Sequence, residues 1–219
     1  MTRVRSRTAL GLILVALFVF GGTNVAALDT PVGETTVDLD GARENVRTQE
    51  TNLANLITDA MRSASGAPIA MTNGGGIRDS VDAGEVTLED VLDIHPFENV
   101  VLTIELTGEE IVQALEHGVS RHPDHWGGFM QVSGLEYTFD PSQDPGNRIV
   151  EVRFAGVPIR EDRTFVVATN GFLSSGGDEY DMLEKDTLEE IDTLDNVIID
   201  YLMDFSPVSP EVEGRITQQ

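Results

Sequence analysis

Twice in this chain an apolar stretch fit for a buried strand breaks off into glycines. One break is Asn73-Gly74-Gly75-Gly76-Ile77-Arg78, the other Asn170-Gly171-Phe172-Leu173-Ser174-Ser175-Gly176-Gly177-Asp178. Glycine serves where a backbone must turn sharply or approach a ligand closely, and loops carried on a rigid scaffold are where binding residues concentrate. Together the two segments offer an amide, a guanidinium, an aromatic ring in a loop and a carboxylate. That set suits a small polar molecule with a flat ring. It holds neither a nucleophile beside a base nor a set of metal ligands.

The chain has 219 residues, enough for one domain of ordinary size with a real core. It carries 38 Asp and Glu against 14 Lys and Arg, a formal charge of −24, and Lys185 is its single lysine. Hydrophobic residues make up 40% and fall in regular patterns, so the acidity marks a folded surface rather than disorder. It fits a salt-rich (halophilic) setting, where self-repulsion is screened within about 3 Å at 1 M salt and carboxylates hold water at the surface. Nucleic-acid polymers and anionic membranes need a basic stripe, and this composition argues against both as partners. There is no cysteine, hence no disulfide, thiolate nucleophile or cysteine metal site, and the fold must rest on its core.

Arg3, Arg5 and Arg7 precede an apolar run from Ala9 to Phe20, followed by the small residues Val25-Ala26-Ala27. This is the pattern of a signal peptide over residues 1–27, with a mature domain over 28–219 that is secreted or held at the cell surface. Only an uncleaved N-terminal segment would attach the protein to a membrane.

Along the mature chain, Thr35 to Leu39 alternates like a strand, and Gly41 to Gln49 is a polar connection. Asn52 is placed to cap a helix to about Ser65, with Leu53, Leu56, Ile57, Ala60 and Met61 on one face. Pro68 to Met71 reads as a buried strand, Thr87 with Asp90 opens a brief helix, and Val100 to Leu106 is a strand. Thr107 and Glu110 form a capping box for a helix bearing Ile111, Leu115 and Val119. After a loop from His122 to Gly128, strands are expected at Leu135 to Phe139, Val150 to Phe154 and Thr164 to Ala168. A last helix is expected to start at Thr187 with Glu190 and to end before Pro207. Strands and helices mix without strict alternation, so the expected fold is α+β, one domain of mixed β-sheets flanked by helices.

Each candidate site residue also has a plainer reading. Asn73 to Arg78 is either a strand-to-loop turn or an anion site in which backbone amides form a nest and Arg78 a clamp. It matches neither the P-loop nor the dinucleotide fingerprint. Phe97 is either core or, with Phe172, half of a clamp on a planar base. Asp178 is either turn chemistry or an acceptor for sugar hydroxyls. Arg47 is either half of a surface ion pair with Glu44 or Glu50 or a ligand contact. The His122-Pro123-Asp124-His125 segment, beside Trp126, reads as a surface loop rather than a metal site. No nucleophile elbow or Ser-His-Asp order is present.

Six ordered segments resemble the C-terminal, substrate-binding domain of secreted 5′-nucleotidases and UDP-sugar hydrolases, from about Val32 to Tyr180 with a weaker tail to Ile216. They are Arg47-x-x-Glu50-Thr51-Asn52-Leu53-x-Asn55-Leu56-Ile57-x-Asp59-Ala60-Met61, Asn73-Gly-Gly-Gly-Ile-Arg78, Gly84-Glu85-Val86-Thr87, Pro96-Phe97-x-Asn99, Gln131-Val132-Ser133-Gly134-Leu135 and Asn170-x-Phe172-Leu173-x-x-Gly176-Gly177-Asp178-x-Tyr180. The resemblance implies that Phe97 and Phe172 stack on a base from opposite sides and that Asn73 and Asn99 bond the base edge or nearby groups. It further implies that Asp178 bonds the ribose hydroxyls and that Arg47 and Arg78 face the ribose or phosphate. Ala54 and Glu179 stand where family members usually or often carry glycine, which bears on local loop geometry.

In that family hydrolysis belongs to a metallophosphatase domain with two metals held in motifs such as Asp-x-His and Gly-Asn-His-Asp/Glu; the second does not occur in these 219 residues, and the first occurs only as the lone triplet Asp93-Ile94-His95, without the rest of the metal set. The expectation is therefore a nucleotide- or nucleoside-binding domain serving nucleotide catabolism or scavenging, with no catalytic residue and no cofactor of its own. A separate metallophosphatase chain is the expected partner, and divalent metals are expected only on that missing or separate domain. A stand-alone hydrolase and a non-binding surface module are the alternatives.

Overall fold

Ile69 to Asn73 is buried along its whole length and forms the strand around which the molecule is layered. The structure, a computed structural model, describes residues 28–219; the segment read as a signal peptide, residues 1–27, lies outside them. In chain order the elements are β1 (Pro31–Thr35), α1 (Arg43–Val46), α2 (Asn52–Ser65), β2 (Ile69–Asn73), β3 (Gly84–Thr87), α3 (Leu88–Ile94), β4 (Val100–Thr107), α4 (Gly108–Val119), β5 (Met130–Ser133), β6 (Leu135–Phe139), β7 (Ile149–Phe154), β8 (Val157–Pro158), β9 (Thr164–Asn170), α5 (Gly171–Ser174), β10 (Glu189–Thr193), α6 (Leu194–Phe205) and β11 (Ile216–Gln218). The central sheet runs β10-β4-β9-β2-β5, a second sheet runs β11-β6-β7-β8, and β1 pairs with β3. In the central sheet β2 and β9 are parallel and the other pairs antiparallel.

Alternation along the central strands divides the core in two. Ala70, Val101 and Ala168 face one side, packed with Leu53, Ile57 and Met61 of α2 and Ile198 and Leu202 of α6. Ile69, Met71, Ile104 and Val167 face the other, packed with Ile111 and Leu115 of α4 and Tyr137 and Phe139 of β6. A sheet covered on both faces needs apolar residues at successive positions, which is why β2 reads as a continuous apolar run. The fold is thus α+β, with mixed sheets flanked by helices, as the residue pattern predicts.

Local signals set the helix ends. Thr87 with Asp90 and Thr107 with Glu110 form complete capping boxes. Helix α2 is capped by Thr51, whose side chain accepts from Ala54 N at 3.2 Å, and not by the expected Asn52. Asn52 instead lies in the first turn and bridges Asp38 O and Asp40 N. Glycine at Gly66, φ +65°, closes the helix in a left-handed cap.

Three further expectations are corrected. The first strand lies at Pro31–Thr35, and Leu39 keeps only an isolated bridge to Val81. The polar connection from Gly41 to Gln49 contains the short helix α1. Thr187 to Glu190 does not start the last helix: Glu189–Thr193 is an edge strand paired with β4, and α6 begins at Leu194. An edge strand is specified by main-chain pairing and needs few apolar side chains, so the acidic run around Ile191 hid it.

The C-terminal segment is bound across the surface of α2 and β6. Buried Glu50 accepts from Asn55 Nδ2 at 2.6 Å, Glu213 N at 2.7 Å and Ile216 N at 3.2 Å. Arg215 makes a two-pronged bond to Asp59, at 3.0 and 2.8 Å, and reaches Glu213 at 2.9 Å. On the far side Arg148, also buried, donates to the carbonyls of Val119, Ser120 and His122 and so satisfies the C-terminal end of α4.

Arg215→Met is expected to destabilise the protein by about 3 kcal/mol, because the Asp59 carboxylate loses its partner while remaining largely covered. Asp59→Asn combined with Arg215→Met should cost less than the sum of the two single changes, measured by denaturant unfolding in molar salt. At the end of β2, a Cβ on Gly74 would sit 1.9 Å from Val46 O, whereas one on Gly76 meets nothing nearer than 3.7 Å. Gly74→Ala should therefore cost at least about 2 kcal/mol and Gly76→Ala less than about 1.

Candidate functional site

Parallel pairing of β2 with β9, in register Ile69 with Val167 and Ala70 with Ala168, ends both strands at the same edge of the sheet. The two glycine-bearing segments leave from that edge side by side, in the position where parallel strands usually present a ligand site. Between them lies a cleft of about 360 Å³ lined by Arg47, Asn73, Gly75, Gly76, Arg78, Phe97, Asn99, Gly127, Phe172 and Asp178. All seven side chains singled out from the sequence therefore border one space.

Asn73 and Asn170 hold the floor. Asn170, buried, donates from Nδ2 to Thr72 Oγ1 at 2.9 Å and to Asn73 Oδ1 at 3.2 Å, and its own Oδ1 accepts from Leu173 N at 3.0 Å as the cap of α5. With its oxygen thus engaged, Asn73 turns Nδ2 toward Asp178 Oδ2, 3.0 Å away. One buried amide thereby fixes Asn73, through it the Asp178 carboxylate, and the helix that carries Phe172. The sequence pattern included Asn170 but assigned it no role.

Two aromatic rings stand open to solvent, Phe97 with 40% and Phe172 with 42% of their surface exposed. Large apolar side chains left in this state beside a cleft are the informative exceptions to burial. Phe97 rests edge-on against His95 at 5.5 Å, and the Arg78 guanidinium lies 5.5 Å from its ring centre. Burial pushes the His95 imidazole below its ordinary pKa, despite the opposing charge of Asp195.

Arg47 is 6% exposed and, among the described residues, forms no ion pair, so the surface-pair reading is set aside. The candidate partner Glu50 is occupied by the C-terminal segment. Arg47 Nη1 reaches His125 O only at 3.4 Å, and its Nε is buried with no partner. Burial, then the charges of Arg43 and Arg78, pull its pKa below the ordinary guanidinium value, with Asp178 opposing. A desolvated cation with an unsatisfied donor favours an anion nearby.

The glycine run does not form the anticipated amide nest. Gly74 N donates to Phe129 O at 2.8 Å, Gly75 N to Gly127 O at 2.7 Å and Arg78 N to Ile94 O at 2.9 Å. These glycines instead permit close approach: a Cβ on Gly75 would lie 2.7 Å from Gly127 Cα. Positive charge at the cleft therefore comes from Arg47 and Arg78 rather than from free amides.

The loop from His122 to Gly128 is likewise more than surface. Gly127 forms a wall of the cleft, Trp126 stacks parallel to buried Tyr180 at 6.4 Å, and Tyr180 Oη donates to Gly128 O. The Gly127-Gly128 pair after an aromatic was the available signal. Beside Gly127, Asp178 and its neighbour Glu179 adopt left-handed backbone, φ +53° and +64°, a conformation costing non-glycine residues about 1–3 kcal/mol each. No group of three or more His, Asp or Glu side chains is arranged to hold a metal ion among the described residues.

Residues 31–185 match the family described as 5′-nucleotidase, C-terminal domain. The trifunctional nucleotide phosphoesterase protein YfkN of Bacillus subtilis is 45% identical over 199 residues, covering 85% of this chain and 14% of that protein. A snake venom 5′-nucleotidase from Macrovipera lebetinus is 34% identical over 212 residues, 85% of this chain and 52% of its own. The crystal structure of a 5′-nucleotidase precursor from Thermus thermophilus superposes with a TM-score of 0.83 at 39% identity, over 88% of this chain and 40% of that one. The chain thus spans about half or less of these relatives. It belongs to the 5′-nucleotidase C-terminal domain family.

Proposed function

We propose that the cleft binds the nucleoside part of a nucleotide, with Phe97 and Phe172 stacking on the base and Asn73 and Asn99 meeting its edge. Asp178 accepts from the ribose hydroxyls, and Arg47 and Arg78 face the phosphate. The observation that carries this reading is the pair of half-exposed phenylalanines bordering one cleft with a held carboxylate and two arginines. Stacking between two rings is available to any flat base and strengthens as water is excluded. A carboxylate whose Oδ2 is engaged by Asn73 keeps its other oxygen for a vicinal diol. The partnerless Arg47 donor and the Arg78 guanidinium above Phe97 favour an anionic group at one end of the ligand.

In this reading the chain is the substrate-binding part of an exported phosphohydrolase acting in nucleotide catabolism or scavenging. Hydrolysis is supplied by a metallophosphatase domain or chain, whose metals activate the attacking water and clamp the phosphate. Part-length similarity to 5′-nucleotidases, some of them venom proteins, supports this assignment, as does the acidic surface for an extracellular, salt-rich setting.

Calorimetric titration of residues 28–219 in molar salt with adenosine and AMP tests the reading. Binding is expected for both, and Phe172→Ala should weaken each by at least about fivefold without altering the unfolding midpoint, since stacking contributes about 1–3 kcal/mol per base. Arg78→Ala should weaken AMP more than adenosine. A folded sample that binds neither ligand would sink the proposal. Phosphate release from AMP by this chain alone, with added Mn²⁺, would replace the two-part enzyme with a stand-alone hydrolase.

A further inference from the structure

The Asp178 carboxylate is aimed from an unfavourable backbone. Gly176, Asp178 and Glu179 all have positive φ, at +79°, +53° and +64°, so the chain reverses through left-handed residues, two of them carrying side chains. Nothing in residue type favours a Glu in this conformation, and the turn must be held from outside. The main-chain oxygen of Asp178 is held by His117, on α4, whose Nε2 lies 2.8 Å away. A carbonyl oxygen only accepts, so Nε2 carries the hydrogen and donates it.

The His117 ring is itself fixed. It meets Tyr180 edge-on at 4.6 Å and Trp126 edge-on at 5.0 Å, while Trp126 and Tyr180 lie parallel. Arg121, just past the end of α4, sits 4.4 Å above the Trp126 ring and pairs with Glu179 at 2.7 Å. Two walls of the cleft, the Asp178 turn and the Gly127 loop, are thus joined through one imidazole that does not border the cleft.

We propose that His117 is a positioning residue that sets recognition of the ligand's vicinal hydroxyls. By donating to the Asp178 carbonyl it fixes the turn that directs the carboxylate, and without that bond the carboxylate loses its aim while the base-stacking rings keep theirs. This rests on the nucleoside reading of the cleft. It predicts a selective effect: His117 governs discrimination between a ribonucleoside and its dideoxy analogue, not affinity for the base.

Two variants separate the donor from the ring. His117→Phe keeps the aromatic contacts and cannot donate, whereas His117→Gln restores a donor without the ring. Adenosine and 2′,3′-dideoxyadenosine are titrated into each, and the Asn73 side-chain amide, which donates to Asp178, is followed by NMR without ligand. The wild type should prefer adenosine by about tenfold or more, as expected for hydrogen bonds to a charged group. In His117→Phe this ratio should fall to within about threefold of unity, with dideoxyadenosine affinity unchanged and the Asn73 amide resonances shifted; His117→Gln should recover at least half of the lost preference. A ratio in His117→Phe within twofold of the wild type, or an equal loss for both ligands, overturns the proposal. If no protein binds either nucleoside, the nucleoside reading falls. The Asn73 signals then decide the positioning role alone: unchanged in His117→Phe, they refute it.

Discussion

Parallel pairing of β2 with β9 brings Asn73 and Asn170 to the same edge of the sheet, and the hydrogen bond between their side chains organises what lies above it. Because Asn170 is buried, its amide has no water to exchange with and must satisfy its donors and acceptor locally. Those local partners are the floor of the cleft on one side and the helix bearing Phe172 on the other. A ligand site built this way needs little rearrangement of its framework to receive a ligand, since its polar groups are already oriented by bonds among themselves.

Charge is distributed to the same end. In a chain with a formal charge of −24, cations are few, and several are placed where a planar, multidonor group does what a point charge does not. Arg148 gathers three carbonyls at the end of α4, and Arg215 grips Asp59 with two parallel bonds. Arg47 and Arg78 remain at the cleft, the first with an unused donor. The acidic exterior repels anions at long range in dilute salt, and at high ionic strength that repulsion contracts to contact distances, leaving the local arginines to decide.

Helices were legible in the sequence because their signals are local: a capping residue, an acid three positions on and an apolar stripe, as at Thr107 and Glu110. The buried strands were legible because a sheet covered on both faces demands apolar runs. The cleft residues stood out because glycines and aromatics in loops contradict their usual places. What stayed hidden is specified at a distance. Strand β10 exists by main-chain pairing to β4 and carries acids outward, and β11 exists because Tyr137 and Glu50 offer it partners. The nest reading of Asn73 to Arg78 failed because a sequence does not say which carbonyls lie opposite its amides; here they belong to Gly127 and Phe129. The packing of Trp126, read as part of a surface loop, and of His117 stayed hidden for the same reason, since their partners lie in other elements.

The hold of Glu50 on the last turn of the chain bears on the timing of folding. Its donors at residues 213 and 216 are separated from it by 163 and 166 positions. Until they arrive, the Glu50 carboxylate, two residues before α2, has only the Asn55 amide of these three partners and leaves its remaining acceptor sites to water. Closing so long a loop is slow relative to forming helices or hairpins. The hydrogen bonding around Glu50 at the entrance to α2 is therefore completed only once residues 213–216 are in place.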